Sequence, residues 1–142
     1  MIRCRGIRGA TTVASNEREQ ILTATRDLLT RLIARNDVAL EDIAAVYFTV
    51  DDDLDAEYPA LAARQLGWTE TALLCAREIP VPHAAVRRCI RVLLLANTER
   101  ALGEIRHVYL REAIALRPTR ADSLDDDAEE GDDESPDIAR AV

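Results

Sequence analysis

The sequence predicts an α/β or α+β domain: strands interleaved with one long helix that packs on one face of a sheet. Three observations carry this. Residues 16–35 hold Ile21, Leu22, Leu28, Leu29, Leu32 and Ile33 as one apolar stripe at helical spacing. Residues 43–50, Ile-Ala-Ala-Val-Tyr-Phe-Thr-Val, form a short β-branched and aromatic run, which reads as a buried strand. Residues 2–13 and 105–117 alternate apolar and polar side chains, the period of a strand.

The elements follow in order. The first strand, 2–13, carries Arg3, Arg5 and Arg8, and Gly6 and Gly9 permit close approach of another group. The long helix has Ser15 or Asn16 as cap, with Glu19 three residues after Asn16 as in a capping box, and Asn36-Asp37 as its end. After the 43–50 strand come Asp51, Asp52, Asp53 and Asp55. Their spacing lacks the glycine and bidentate glutamate of a calcium loop, so they read as a solvated loop. Residues 58–67 predict a short helix, with Pro59 in its first turn and Gly67 at its stop. Ala72, Leu73 and Leu74 suggest a short strand ending near Cys75, and Pro80 and Pro82 force an extended or turning path. Residues 87–97 stay ambiguous: a helix pairs Arg87 with Arg91, a strand puts Cys89, Arg91, Leu93 and Leu95 on one face. Residues 105–117 predict a final strand.

Charge divides the chain into two. Residues 1–120 hold 17 Arg and 16 acids, a net of +1, whereas residues 121–142 hold one Arg and ten acids, a net of −9. The first part has the length of one domain, and the second is too polar and too like-charged to fold alone. A domain at +1 lacks the surplus cations that grip nucleic acid. No run approaches a membrane span, and the first residues lack the apolar stretch of a secretory signal. Three cysteines at irregular spacing suggest reduced thiols in the cytoplasm, and no Cys or His pair has zinc spacing. All 18 cations are arginine, so each is a planar fork suited to carboxylates.

The sharpest chemical signals are charges inside apolar runs. Arg8, Glu78 and Arg91 interrupt such runs, and Tyr109 sits in another. A core arginine is costly unless paired, so Arg91 either bridges internally to a residue such as Glu78 or lines an anion site with other Arg and Tyr side chains. Cys75 near Glu78 has no histidine signature to make it a nucleophile and reads as a small buried hydrophobe.

Six blocks in order resemble one family: Arg5-Gly6-Ile7-Arg8-Gly9-Ala10-Thr11-Thr12, Tyr58-Pro59-Ala60 with Arg64, Cys75 with Glu78, Cys89-Ile90-Arg91-Val92, Ile105 to Leu110, and Leu116-Arg117-Pro118. Together they are similar to the AroH-class monofunctional chorismate mutases over residues 2–118. The resemblance implies an α+β (α/β-like) fold with a mixed sheet and one long helix on one face. It also implies a homotrimeric pseudo-α/β barrel with sites at subunit interfaces, and it favours a strand for 87–97.

The implied reaction converts chorismate to prephenate by a concerted [3,3] rearrangement in the Phe/Tyr branch of aromatic amino-acid biosynthesis. It needs no cofactor and no metal. By the resemblance, Arg91 donates to the breaking ether oxygen and is the main catalytic residue. Arg8 grips a carboxylate, Glu78 accepts from the substrate hydroxyl, and Tyr109 donates to a carboxylate. Leu74 and Cys75 contact the hydroxyl region. Tyr58 and Arg64 line the entrance from a neighbouring subunit, and Arg117 lies on a closing C-terminal segment. Two positions depart from the family pattern: Tyr58 stands where many relatives carry Phe, and Leu74 where they often carry Thr. The expected organisation is a mutase domain over 1–120 and an acidic, disordered tail over 121–142 that points away from the dianionic substrate. The competing reading is an inactive trimer of the same fold that binds small dicarboxylates. The presence of both Arg91 and Glu78 argues against it.

Overall fold

The computed structural model describes residues 1–84 and 86–117 of the 142-residue chain. The expectation of a disordered tail over 121–142 lies outside the described residues. Five strands form one mixed sheet: β1 (Arg3–Thr12), β2 (Ile43–Val50), β3 (Ala72–Arg77), β4 (Cys89–Thr98) and β5 (Val108–Tyr109). Their order is β3-β2-β4-β1-β5. β4 runs antiparallel to both β1 and β2, while β2/β3 and β1/β5 pair in parallel. The ambiguous stretch 87–97 thus resolves as strand β4 from Cys89 onward, in the middle of the sheet, with Arg87 and Arg88 before it.

The helix α1 (Arg18–Asn36) joins β1 to β2 and covers one face. Ile21, Leu22, Leu28, Leu29 and Leu32 of the expected stripe are buried, and Ile33 packs partly buried against the same core. Gly9 of β1 makes the closest approach: a Cβ there would lie 3.0 Å from Leu32 Cδ1 and 3.1 Å from Leu28 Cδ1. The helix runs over the sheet because β1 carries no side chain at that crossing.

The start of α1 corrects one expectation. Neither Ser15 nor Asn16 caps it, and no capping box forms; Glu17 precedes the first turn without a side-chain cap. Gln20 reaches back instead, its Oε1 accepting the N–H groups of Ala14 and Ser15. Asn16 is drawn to the acidic loop, where its Oδ1 accepts from the N–H groups of Asp55 and Ala56. The helix ends as expected. Asp37 adopts the left-handed conformation with φ 56°, and the Val38 N–H donates to Ile33 O at 3.1 Å.

The short helix α2 (Ala60–Gln65) connects β2 to the parallel β3, stopping at Gly67 with φ 98°. The final strand is shorter than expected. Only Val108 and Tyr109 pair with β1; Arg111 then takes φ 51°, and Arg111–Leu116 coil into a 3-10 helix. Extended structure cannot continue through that left-handed residue. Ala113, Ile114 and Ala115 are buried in succession, which a strand with alternating faces would not allow.

The sheet face away from α1 is covered at its β1/β5 end, where Ala113, Ile114 and Ala115 pack with Ala10 and Tyr109, and is open toward β2 and β3. Tyr47, Leu74 and Leu93 are apolar side chains on it, exposed by 41%, 59% and 38%.

Candidate active site

The strand register assembles the site. Arg91 on β4 lies opposite Ala10 of β1 and opposite Thr49 of β2. Ala10 in turn pairs with Tyr109 of β5, and Arg8 lies two residues from Ala10 on the same face. Four strands therefore bring Arg8, Thr49, Arg91 and Tyr109 to the open face of the sheet. Glu78 follows the end of β3, held by its N–H donating to Val50 O at 2.9 Å. With Tyr47 and Leu116 these residues line a cleft of about 490 Å³.

Arg8, Thr49, Glu78, Arg91 and Tyr109 each have a partner in the cleft. Arg91 Nη1 lies 3.3 Å from Asp51 Oδ1 and 3.7 Å from Glu78 Oε1. The Thr49 hydroxyl donates to Glu78 Oε1 at 2.6 Å. Arg8 donates through Nη2 to the Tyr109 hydroxyl, and its guanidinium carbon lies 5.7 Å from that ring's centroid. The Arg8 N–H donates to His107 Nδ1 at 2.9 Å, fixing the strand beneath the side chain. The Arg91 and Glu78 side chains are 28% and 29% exposed, so both charges stay within reach of a ligand while partly shielded from water.

Other expected site residues lie elsewhere. Cys75 alternates to the α1 side of the sheet, since it pairs with Phe48 and not with Thr49. It shares a second cleft of about 440 Å³ with Tyr58 and Pro59. Burial pushes the Cys75 thiol up, and the nearby Arg64 charge partly offsets this. Arg64 stands exposed on α2, so Tyr58, Arg64 and Cys75 form a second group, apart from Arg8, Glu78, Arg91 and Tyr109. Leu74 is on the open face opposite Tyr47 and lines neither cleft. Arg117 follows Leu116, and its buried Nε has no hydrogen-bond partner among the described residues. Among the described residues, no group of three or more His, Cys, Asp or Glu could hold a metal ion. No described helix is long and apolar enough to cross a membrane.

The sequence model of the family described as chorismate mutase type I matches residues 4–120. The chain belongs to that family. It is similar to the chorismate mutase AroH of Thermus thermophilus, 51% identical over 115 residues that span 80% of this chain and 93% of that protein. It is also similar to the chorismate mutase AroH of Bacillus subtilis, at 40% identity over 115 residues, 80% of this chain and 90% of that protein. A solved chorismate mutase from Clostridium thermocellum superposes with a TM-score of 0.73 at 46% identity, covering 75% of this chain and 94% of the other.

Two residues around Arg91 in this chorismate mutase carry no mark in the sequence. Thr49 sat inside an apolar run with nothing to mark it, because its position opposite Arg91 depends on strand order. Asp51 was one acid among four neighbours. Its distinguishing feature is contact with β4, which is 38 residues away from it at Cys89.

Proposed function

We propose that this chorismate mutase converts chorismate to prephenate in the cleft around Arg91, with Arg91 donating to the ether oxygen as its bond to carbon breaks. The observation that carries this is the convergence of Arg8, Arg91, Glu78 and Tyr109 on one sheet face. The rearrangement makes no bond to the protein and moves no proton. The enzyme's work is to hold a flexible dianion compact and to offer more to the transition state than to the substrate. A pre-aligned arginine does the latter, since charge grows on the ether oxygen only as the bond breaks. Arg8 and Tyr109 grip the carboxylates. Glu78 accepts from the substrate hydroxyl, and its charge faces ring carbons that gain positive character.

Charge counting supports a site shared between subunits. In one protomer the cleft holds Arg8, Arg91 and Glu78, and Asp51 pairs with Arg91 from its edge, so the local balance is zero. A dianion needs surplus cations. Arg117 at the closing segment and Arg64 from a neighbouring copy supply them. The second cleft, with Tyr58 and Cys75, is lined by Asp51 too, and its Tyr58 and the nearby Arg64 are free to face a neighbouring copy. A homotrimer closed by head-to-tail contacts joins the two and covers Tyr47, Leu74 and Leu93. In that assembly Leu74 and Cys75 approach the substrate hydroxyl. The reaction belongs to aromatic amino-acid biosynthesis, and free thiols at Cys4, Cys75 and Cys89 suit the cytoplasm. We assign residues 1–120 to the mutase domain and 121–142 to an acidic appendage outside the site.

Purified protein incubated with chorismate should yield prephenate, read as phenylpyruvate after acid treatment. Chorismate recovered intact from folded protein would contradict the assignment and favour a dicarboxylate-binding trimer.

A further inference from the structure

Asp51 follows β2 directly and commits its carboxylate to β4. Its Oδ2 accepts the Cys89 N–H at 3.0 Å, and its own N–H donates to Cys89 O at 3.3 Å. That locks the acid to the strand two residues before Arg91. Its Oδ1 then meets Arg91 Nη1 at 3.3 Å. The Asp51 side chain is 19% exposed, the more shielded of the two carboxylates beside Arg91. Glu78 differs in kind. It lies farther from Arg91, at 3.7 Å, and the substrate hydroxyl competes for it.

An arginine side chain has many rotamers, and an unfixed one must be ordered during the reaction. A partner that fixes it beforehand removes that cost from the barrier. Asp51 takes Nη1 and, among the described residues, leaves Nη2 and Nε without a partner. We propose that Asp51 is a positioning residue for the rearrangement, holding the Arg91 fork so that its remaining donors meet the ether oxygen. This rests on the reading of Arg91 given above. It carries a distinctive consequence. Asp51 is also a negative charge beside a dianion, so it helps kcat while opposing substrate binding.

The test is Asp51→Asn alone and combined with Arg91→Lys, which keeps a cation but has no fork to align. Asparagine preserves the shape and can still accept the Cys89 N–H. We expect kcat to fall roughly 10- to 100-fold, as for displaced catalytic groups, with KM unchanged or lower. In the Arg91→Lys background the same change should cost less than about threefold, because interacting residues are non-additive. An unchanged kcat, a raised KM, or an equal loss in both backgrounds would overturn the role. If Arg91→Lys alone keeps wild-type kcat, the reading of Arg91 fails and the Asp51 assignment goes with it, a result distinct from the others. Should Asp51→Asn not fold, Asp51→Glu carries the test: it keeps the charge but shifts it by one methylene, and kcat must fall while KM holds.

Discussion

Arg91 occupies a position that a folding argument alone would leave to an aliphatic side chain, between the buried Ile90 and Val92 in the middle of the sheet. It is tolerated because two carboxylates accompany it, the internal salt bridge to Glu78 among them. Its neighbour Cys89 shows the opposite environment. Cys89 is fully buried, and burial pushes its thiol up to about 12, with Arg91 only partly opposing this. Iodoacetamide at pH 8 should therefore label the exposed Cys4 and spare Cys89 in folded protein, as read by peptide mass spectrometry. Labelling of Cys89 at the rate of Cys4 would mean that the centre of the sheet opens. The sign for stability is definite. The neutral thiol's contribution is fully present below its ordinary value of 9.0 and is lost as pH rises from there toward about 12.

At the scale of elements, the crossing of α1 over β1 is the tightest contact. Gly9→Ala places a methyl 3.0 Å from Leu32 and 3.1 Å from Leu28. The Leu28 and Leu32 side-chain ends must give by a few tenths of an ångström, and where they cannot, overpacking of this kind costs about 1–3 kcal/mol. A melting temperature lowered by several degrees is expected, and an unchanged one would show that α1 yields freely. Arg111 anchors the other flank. Its Nη1 donates to Thr11 Oγ1 at 3.1 Å and lies 3.6 Å from Asp27 of α1. The 3-10 helix that carries Leu116 to the cleft hangs from this tie. The helix stripe, the β2 run and the Pro59-to-Gly67 helix were legible because their patterns are local. Three features were not. The uncapped start of α1 depended on the acidic loop that diverts Asn16. The short β5 depended on the backbone of Arg111. The grouping of Arg8, Thr49 and Tyr109 around Arg91 depended on strand order, which periodicity does not contain. The family resemblance named Arg8, Glu78, Arg91 and Tyr109 as one site; only the register explains how they meet.

On the whole molecule, the division between two clefts makes a prediction about assembly. Arg64→Ala and Arg91→Ala protomers, each impaired alone, should regain turnover when unfolded and refolded together. Random head-to-tail mixing leaves about a quarter of the sites with both arginines. Recovery absent in the co-refolded mixture would place the whole site within one chain. The acidic segment makes a second prediction. Removing residues 121–142 takes away a net charge of −9. Turnover should stay within about twofold at physiological salt, where charges farther than about 8 Å are screened. A large gain on truncation would mean that the segment competes with the dianion.

Loss of chorismate absorbance, followed for the wild type and for Arg91→Ala side by side, tests the central claim most directly. Removing one aligned donor costs about 3–4 kcal/mol in comparable sites, so kcat should fall at least 10²-fold while the variant stays folded. A folded Arg91→Ala protein turning over at the wild-type rate would contradict the electrostatic role given to Arg91.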